Sequence, residues 1–366
     1  MELLYAGFVA FVLMLLALDL GVFHRTAHVV KVKEALGWSA LWISLGLLFT
    51  GFIYAGYQGH WFGLGTGFDA TATARIASDG TTVYNDGGSA AIKYLTGFVV
   101  EKSLAVDNIF VIAMIFGFLG VPAMYQHRVL FWGIVGALIM RGAMIAIGAV
   151  LITRFSWLIY VFGGFLIVTG VKMLVVASST GDFERNPLVR AVRRLVPVTE
   201  RYHGERFVVR AGSPASLAPP TPGAAIESDR VVAAARRGAL LVTPLFLALV
   251  LVEFTDVIFA VDSIPAIFAI TTDPFLVFTS NVFAILGLRS LYFALAGMMD
   301  RFKYLKVSLS VVLVAIGVKM MTHGWLKAWL GTHFNFYMLG VIASIIGAGV
   351  IASLVATRGG ARVTPV

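Results

Sequence analysis

The sequence predicts an all-α fold: a polytopic membrane helix bundle of about nine transmembrane spans, containing two inverted three-span repeats. Three observations carry that expectation. The 366-residue chain is 59% hydrophobic, with a mean hydropathy of +0.90. Only 13% of it is charged, against about 25% in a soluble domain. Apolar stretches of crossing length alternate with polar loops whose Lys and Arg gather on one side. Two of the stretches hold matched carboxylates, Glu101 with Asp107 and Asp256 with Asp262. An ionised group at that depth costs roughly 3 kcal/mol or more, so these four call for a cation, a proton or a polar pathway.

Each span follows from local chemistry. The first, Leu3–Phe23, starts beside Glu2, and its positive charges (Arg25, Lys31, Lys33) come after it. That pattern argues for a retained span with the N-terminus outside. Trp38–Tyr57 is the second, with Trp38, Trp42, Tyr54 and Tyr57 near its ends as interface anchors. Residues 58–91 carry Asp69, Asp79 and Asp86 against Arg75 alone. They read as a solvated external loop, or more sharply as a weak cation-gathering vestibule. The third span, Ile92–Leu119, holds Glu101 and Asp107; the fourth, Val129–Leu151, holds Arg141; the fifth is Trp157–Ala177.

Residues 178–237 form a long hydrophilic insert, richer in Arg than in acidic residues and therefore expected in the cytoplasm. Its Pro/Ser/Ala-rich middle, Gly212–Gly223, is expected to be disordered. Pro187–Val198 reads as a basic helix on anionic lipid or as plain linker. The sixth span, Gly238–Ile270, is longer than one crossing needs, and holds Glu253, Asp256, Asp262 and Pro265. Pro274–Met298 is the seventh, with Asn281 and Arg289. Val307–Thr322 and Phe334–Ala356 complete the set, with the C-terminus cytoplasmic. The organisation is two leading spans and a loop (1–91), a first repeat (92–177), the insert (178–237), an inverted repeat (238–323), and a last span with its tail (324–366).

The repeat rests on three ordered matches. Ala105-Val106-Asp107 recurs as Ala260-Val261-Asp262, with Glu101 echoed by Asp256 at an offset of 155 residues. Arg141 recurs as Arg289 at 148, and Gly170-Val171-Lys172-Met173 as Gly317-Val318-Lys319-Met320 at 147. A unit of three spans is odd, so its copy enters the membrane upside down, as in many secondary transporters.

Hard divalent cations take oxygen donors, and the motifs supply Asp107, Asp262, Glu101, Asp256, Asn108 and Ser263. A spacing of six turns a helix through about 240°, so Glu101 and Asp107 do not share a face; Glu101 with Asn108, and Asp256 with Ser263, do. Pro265 offers a local helix break. Asp107 and Asp262 are the expected ligands, with Glu101 and Asp256 in support. The alternative is structural: Glu101 pairing with Arg141, and Asp256 with Arg289. Asp19, Glu253, Asn281, Arg141 and Arg289 are candidates for gating or coupling. Asp19 also reads as an interface charge, and Asn281 as a helix–helix hydrogen bond. With no Cys, disulfides, thiolate metal sites and thiol redox chemistry are excluded.

Across Ala17–Arg25, Glu101–Asn108, Glu253–Pro265 and Asn281–Ser290 the chain resembles the TerC/Alx family of integral membrane proteins, within the broader LysE-type transporter superfamily. The resemblance implies a bacterial-type inner-membrane protein of metal-ion homeostasis, chiefly Mn²⁺ export, with an older association with tellurium resistance. It implies site roles for Glu101, Asp107, Asp256 and Asp262. The expectation is a transporter, not an enzyme, with no cofactor. Its partners are a divalent metal ion as substrate and the lipid bilayer, with a homo-oligomer or membrane partner proteins open and no nucleic acid. The rivals are a membrane scaffold that helps assemble or metallate other proteins, and an exporter of amino acids or organic cations.

Overall fold

The structure, a computed structural model, describes residues 1–21, 32–78, 80–155, 157–175, 194, 197–217, 219, 229–296, 304–322 and 334–360. Within those stretches the side chains of residues 19–21, 107, 262, 305, 306, 334, 335 and 357–360 lie outside the described set. The chain is mostly helical: α1 (Glu2–Gly21), α2 (Val32–Gln58), α3 (Gly87–Leu119), α4 (Ala123–Arg154), α5 (Leu158–Val175), α6 (Pro244–Phe268), α7 (Pro274–Ile285), α8 (Leu288–Leu295), α9 (Leu305–Met321) and α10 (Phe334–Gly360). Among the described residues, six helices are long and apolar enough to cross a membrane, and seven if the bent pair α7–α8 is one span. Helices α1 and α9 are apolar but shorter. Each of the nine expected stretches thus coincides with a helix or, at α7–α8, with a bent pair.

Helix α3 runs through the middle and packs against α2, α6, α7, α8 and α10. Helices α5 and α9 form the tightest pair, because glycines let their backbones meet. A Cβ on Gly163 would lie 3.2 Å from the Gly317 carbonyl, and one on Gly170 2.8 Å from that of Ser310. The two contacts run in opposite order along the two helices, so the pair is antiparallel. Such close approach lets dispersion hold helices together where lipid offers no hydrophobic drive.

Three local expectations are corrected. The sixth span is shorter than Gly238–Ile270, because Leu240–Val242 is a strand and α6 starts at Pro244 behind the N-cap Thr243. Pro is well suited there, since its missing amide is one the helix start leaves unpaired. Pro265 does not break α6 either. It sits in the last turns, and α6 runs on to Phe268. The break comes in the next span, where α7 and α8 meet at 40°. Gly287 turns the chain with φ +80°, and a Cβ there would strike Trp42. The break leaves carbonyls without helical partners, and the Lys102 ammonium donates to two of them, Ala284 O and Leu286 O, each at 3.1 Å.

The third correction concerns the insert. Residues 212–217, expected to be disordered, form a turn and a short 3₁₀ segment, Pro214–Leu217. Val208–Arg210 pairs antiparallel with Leu240–Val242, and Val209, Ala211 and Leu241 make a small core. The lobe is fastened to the bundle: the Tyr202 hydroxyl donates to Leu119 O at 2.9 Å, and Arg128 pairs with Glu205 and lies over the Phe207 ring. The expected basic helix at residues 187–198 falls largely outside the described residues.

The α5–α9 contact is directly testable. Gly163→Leu should lower the melting temperature of the purified protein by several degrees, since overpacking costs about 1–3 kcal/mol. Gly164→Leu, where nothing lies within 4 Å of a new Cβ, should leave it unchanged. Equal effects would mean that the glycine seam does not hold the pair.

Candidate functional site

The site forms where α3, α4, α6 and α7 meet. Glu101 and Arg141 are each 2% exposed. The Arg141 guanidinium stands between two carboxylates. Nη1 donates to Glu101 Oε1 in a close ion pair. Nη2 and Nε fork onto Asp256, at 2.9 Å to Oδ1 and 3.2 Å to Oδ2. A bidentate pair of this kind is strong and directional. Ser263 Oγ and Asn281 Oδ1 complete the ring, each 3.4 Å from Nη1. Asn281 also donates from Nδ2 to Val277 O at 3.0 Å, which fixes its amide.

Helical phase explains the gathering. Asp256 and Ser263, seven apart on α6, both reach Arg141. Glu101 and Asn108, seven apart on α3, line one small cavity of about 40 Å³ with Arg141 and Ser263. A second, of about 30 Å³, is lined by Asn108, Asp256 and Arg289. Asn108 therefore touches both. Glu253, one turn before Asp256, lays its carboxylate on α4 at Gly136, where a Cβ would collide with it.

The expected ligands divide into two groups. Glu101, Asp256, Ser263 and Asn281 are brought together on Arg141, and Asn108 stands beside them. Asp107 and Asp262 lie within α3 and α6, but their side chains, with that of Asp19, lie outside the described residues. Among the described residues no three His, Cys, Asp or Glu side chains converge as a metal cluster. The Glu101–Arg141 pair weighed from sequence is present. Asp256, which the same reading paired with Arg289, takes the fork of Arg141 instead.

A second buried charge cluster was not foreseen. Asp69, expected in a solvated loop or vestibule, is 1% exposed. Its Oδ2 accepts from Lys93 Nζ at 2.8 Å, Asn85 Nδ2 at 2.9 Å and Thr271 Oγ1 at 2.7 Å. Its Oδ1 accepts from the Thr71 amide at 2.9 Å and the Thr272 amide at 3.1 Å. Asp69 thus ties the loop before α3 to the turn between α6 and α7. Asp86, the residue after Asn85, caps α3 by accepting from the Ser89 amide at 2.7 Å. Lys93 was the available signal: a lone cation opening an apolar span requires a buried anion.

An integral membrane bundle built around a buried carboxylate–guanidinium–carboxylate bridge is the class that fold and site define. The chain belongs to the TerC family of integral membrane proteins, whose model matches residues 86–361. It is 47% identical over 355 residues to "Uncharacterized membrane protein STKORF319" of Myxococcus xanthus, covering 97% of this chain and 93% of that one. It is 42% identical over 320 residues to "Putative membrane-bound redox modulator Alx" of Escherichia coli (strain K12), covering 87% and 85%. To "Uncharacterized membrane protein" of Rickettsia bellii it is 36% identical over 348 residues, covering 94% and 97%. No solved structure matches the chain.

Two predictions follow from the Asp69 cluster. Asp69→Leu strands the Lys93 charge and should cost about 3–5 kcal/mol. Adding Lys93→Leu should recover most of it, as a double-mutant cycle by thermal unfolding would read. The second concerns Asp273, the α7 cap. Burial and the neighbouring Asp69 charge push its carboxyl up to about 6 from 3.8. A raised carboxyl favours the fold when protonated, so its contribution is full below about pH 4 and is lost as pH rises through about 6. Asp69 behaves oppositely. Burial opposes its charge, but the Lys93 ammonium with donors Thr271 and Asn85 outweighs that and holds it well below the ordinary range. Its contribution is present above about pH 4 and is lost only in strong acid. Between about pH 7.5 and about pH 5, only Asp273 of the two changes charge. Over that range the melting temperature should rise on acidification, and rise less in Asp273→Asn.

Proposed function

We propose that this protein is a membrane transporter that exports a hard divalent cation, Mn²⁺ foremost, by alternating access with proton or cation exchange. The observation that carries the reading is the meeting of Glu101 and Asp256, the two motif carboxylates related by the repeat, at one point between α3 and α6. A site shared by two copies near the middle of a bundle is what repeat-built transporters use. An offset of 147 residues supports an inverted repeat in α5 and α9. Gly163 corresponds to Ser310, and Gly170 to Gly317, at 147 residues. Gly163 packs on Gly317 and Gly170 on Ser310, a pairing that a two-fold axis in the membrane plane would generate. On this reading all nine apolar stretches cross an inner membrane, with the N-terminus outside and the insert and C-terminus in the cytoplasm.

Asp107 and Asp262, one on each repeat, complete the proposed oxygen ligand set with Glu101 and Asp256. Such a set suits Mn²⁺, Mg²⁺ or Ca²⁺ over softer metals, and the family resemblance favours manganese. A carboxylate-lined path repels an anion, so tellurite is a poor cargo. The relatives' name, redox modulator, reaches this chain without a thiol, since its 366 residues hold no Cys. A redox effect here would follow from moving manganese, not from dithiol exchange. The scaffold alternative requires these charges to be structural only, and it predicts no ion flux from pure protein.

The test is Mn²⁺ flux in proteoliposomes of the purified chain. Wild type should transport, and Glu101→Gln, Asp256→Asn, Asp107→Ala and Asp262→Ala should each lower the rate at least about tenfold, the loss of about 1.4 kcal/mol of stabilisation. Absence of wild-type flux, or full flux in all four variants, would reject the assignment.

A further inference from the structure

Resting on that reading, we propose that Arg141 is a tethered competitor of the cargo: its guanidinium occupies the Glu101–Asp256 cation site, and an ion binds only by displacing it. Arg141 would then set the site's preference for divalent over monovalent ions.

The geometry makes the case. The guanidinium sits where a cation between Glu101 and Asp256 would sit, using Nη1 on one and the Nη2/Nε fork on the other. It also lines one of two small cavities that lie beside the bridge. Glu101 and Ser263 line one, Asp256 and Arg289 line the other, and Asn108 lines both. At about 40 Å³ and about 30 Å³ these hold a few waters. The point between the two carboxylates is filled by the guanidinium itself, so a cation bridging Glu101 and Asp256 binds there only if the bridge opens. The guanidinium leaves the carboxylates by a swing of its side chain. Ser263 Oγ and Asn281 Oδ1, each 3.4 Å from Nη1, offer it neighbouring acceptors along the way.

Charge then decides which ions succeed. The two carboxylates carry two negative charges, and Arg141 leaves the bridge with a net of one. A monovalent ion replacing it gains no charge over the group displaced. A divalent ion does, and its gain can exceed the cost of moving a forked side chain. The lock also keeps the empty site from standing open as an unpaired pair of carboxylates in lipid, which would be costly.

The experiment measures binding of Mn²⁺ alone to the purified full-length chain by calorimetry, with flux in proteoliposomes. Arg141→Gln removes the competitor. Arg141→Lys keeps the charge but loses the planar fork that grips Asp256, so it decides the matter if Arg141→Gln does not fold. Removing a competitor that fills most of the population raises apparent affinity by the inverse of the open fraction. Mn²⁺ should bind about tenfold tighter to either variant, with KM and the maximal rate both falling, because release no longer has a group to drive it. Na⁺ should inhibit Mn²⁺ binding to Arg141→Gln far more than to wild type. A structural arginine predicts the reverse: in a folded variant Mn²⁺ binding weakens in step with Glu101→Gln, and Na⁺ sensitivity does not change. That outcome overturns the proposal while leaving wild-type transport intact. If wild type itself neither binds nor moves Mn²⁺, the transport reading fails and the competitor falls with it.

Discussion

Arg141 carries one positive charge into a layer of apolar side chains, and the centre of the bundle is arranged to answer it. Glu101 comes from α3, Asp256 from α6 and the amide of Asn281 from α7. None of these groups is tolerable there alone, since a buried charge stripped of its partner costs about 3–5 kcal/mol. Together they fix the rotation of four helices, because each must present one residue to the same point. Gly136, on α4 with Arg141, yields space to the Glu253 carboxylate; away from the bridge, Gly163, Gly170 and Gly317 let α5 and α9 close against one another.

The broken span obeys the same rule of satisfied charge. Irregular backbone at membrane depth survives where protein groups take up the freed carbonyls. Lys102, the residue after Glu101, does so for Ala284 and Leu286. Adjacent residues on α3 thus serve two purposes: one faces the bridge, and the other clamps the break that leads to Arg289. At the far end of α3 the Asp69–Lys93 pair repeats the theme, joining an excursion of the chain to the α6–α7 turn. Lys93, Glu101 and Lys102, which enter these three arrangements, all lie on α3.

Much of this was legible in the sequence. Apolar stretches gave the helices, because a crossing requires a long run of apolar residues whatever the packing. Heptad spacing correctly set Glu101 with Asn108 and Asp256 with Ser263 on common faces. What periodicity could not supply was the partner across helices. Arg141 and Arg289 are matched marks in the sequence, and only packing distinguishes the one that Asp256 grips. Pro265 looked like the break because proline ends helices; it removes the amide that would bond Val261 O, yet α6 runs on to Phe268. The actual break lies at Gly287, where a positive φ and the approach of Trp42 both require glycine. Asp69 was misread for a related reason: an Asp in a Gly- and Thr-rich loop resembles a solvated residue until Lys93, 24 positions on, is placed beside it.

On the proposed reading, transport through this bundle requires a cation to replace the guanidinium between α3 and α6. The direct measurement is an anomalous-scattering map from crystals grown with Mn²⁺. The predicted result is a peak bounded by carboxylates of α3 and α6, with the Arg141 side chain moved away from Glu101 and Asp256. No peak in the bundle at saturating Mn²⁺, with Arg141 still forked on Asp256, would contradict it.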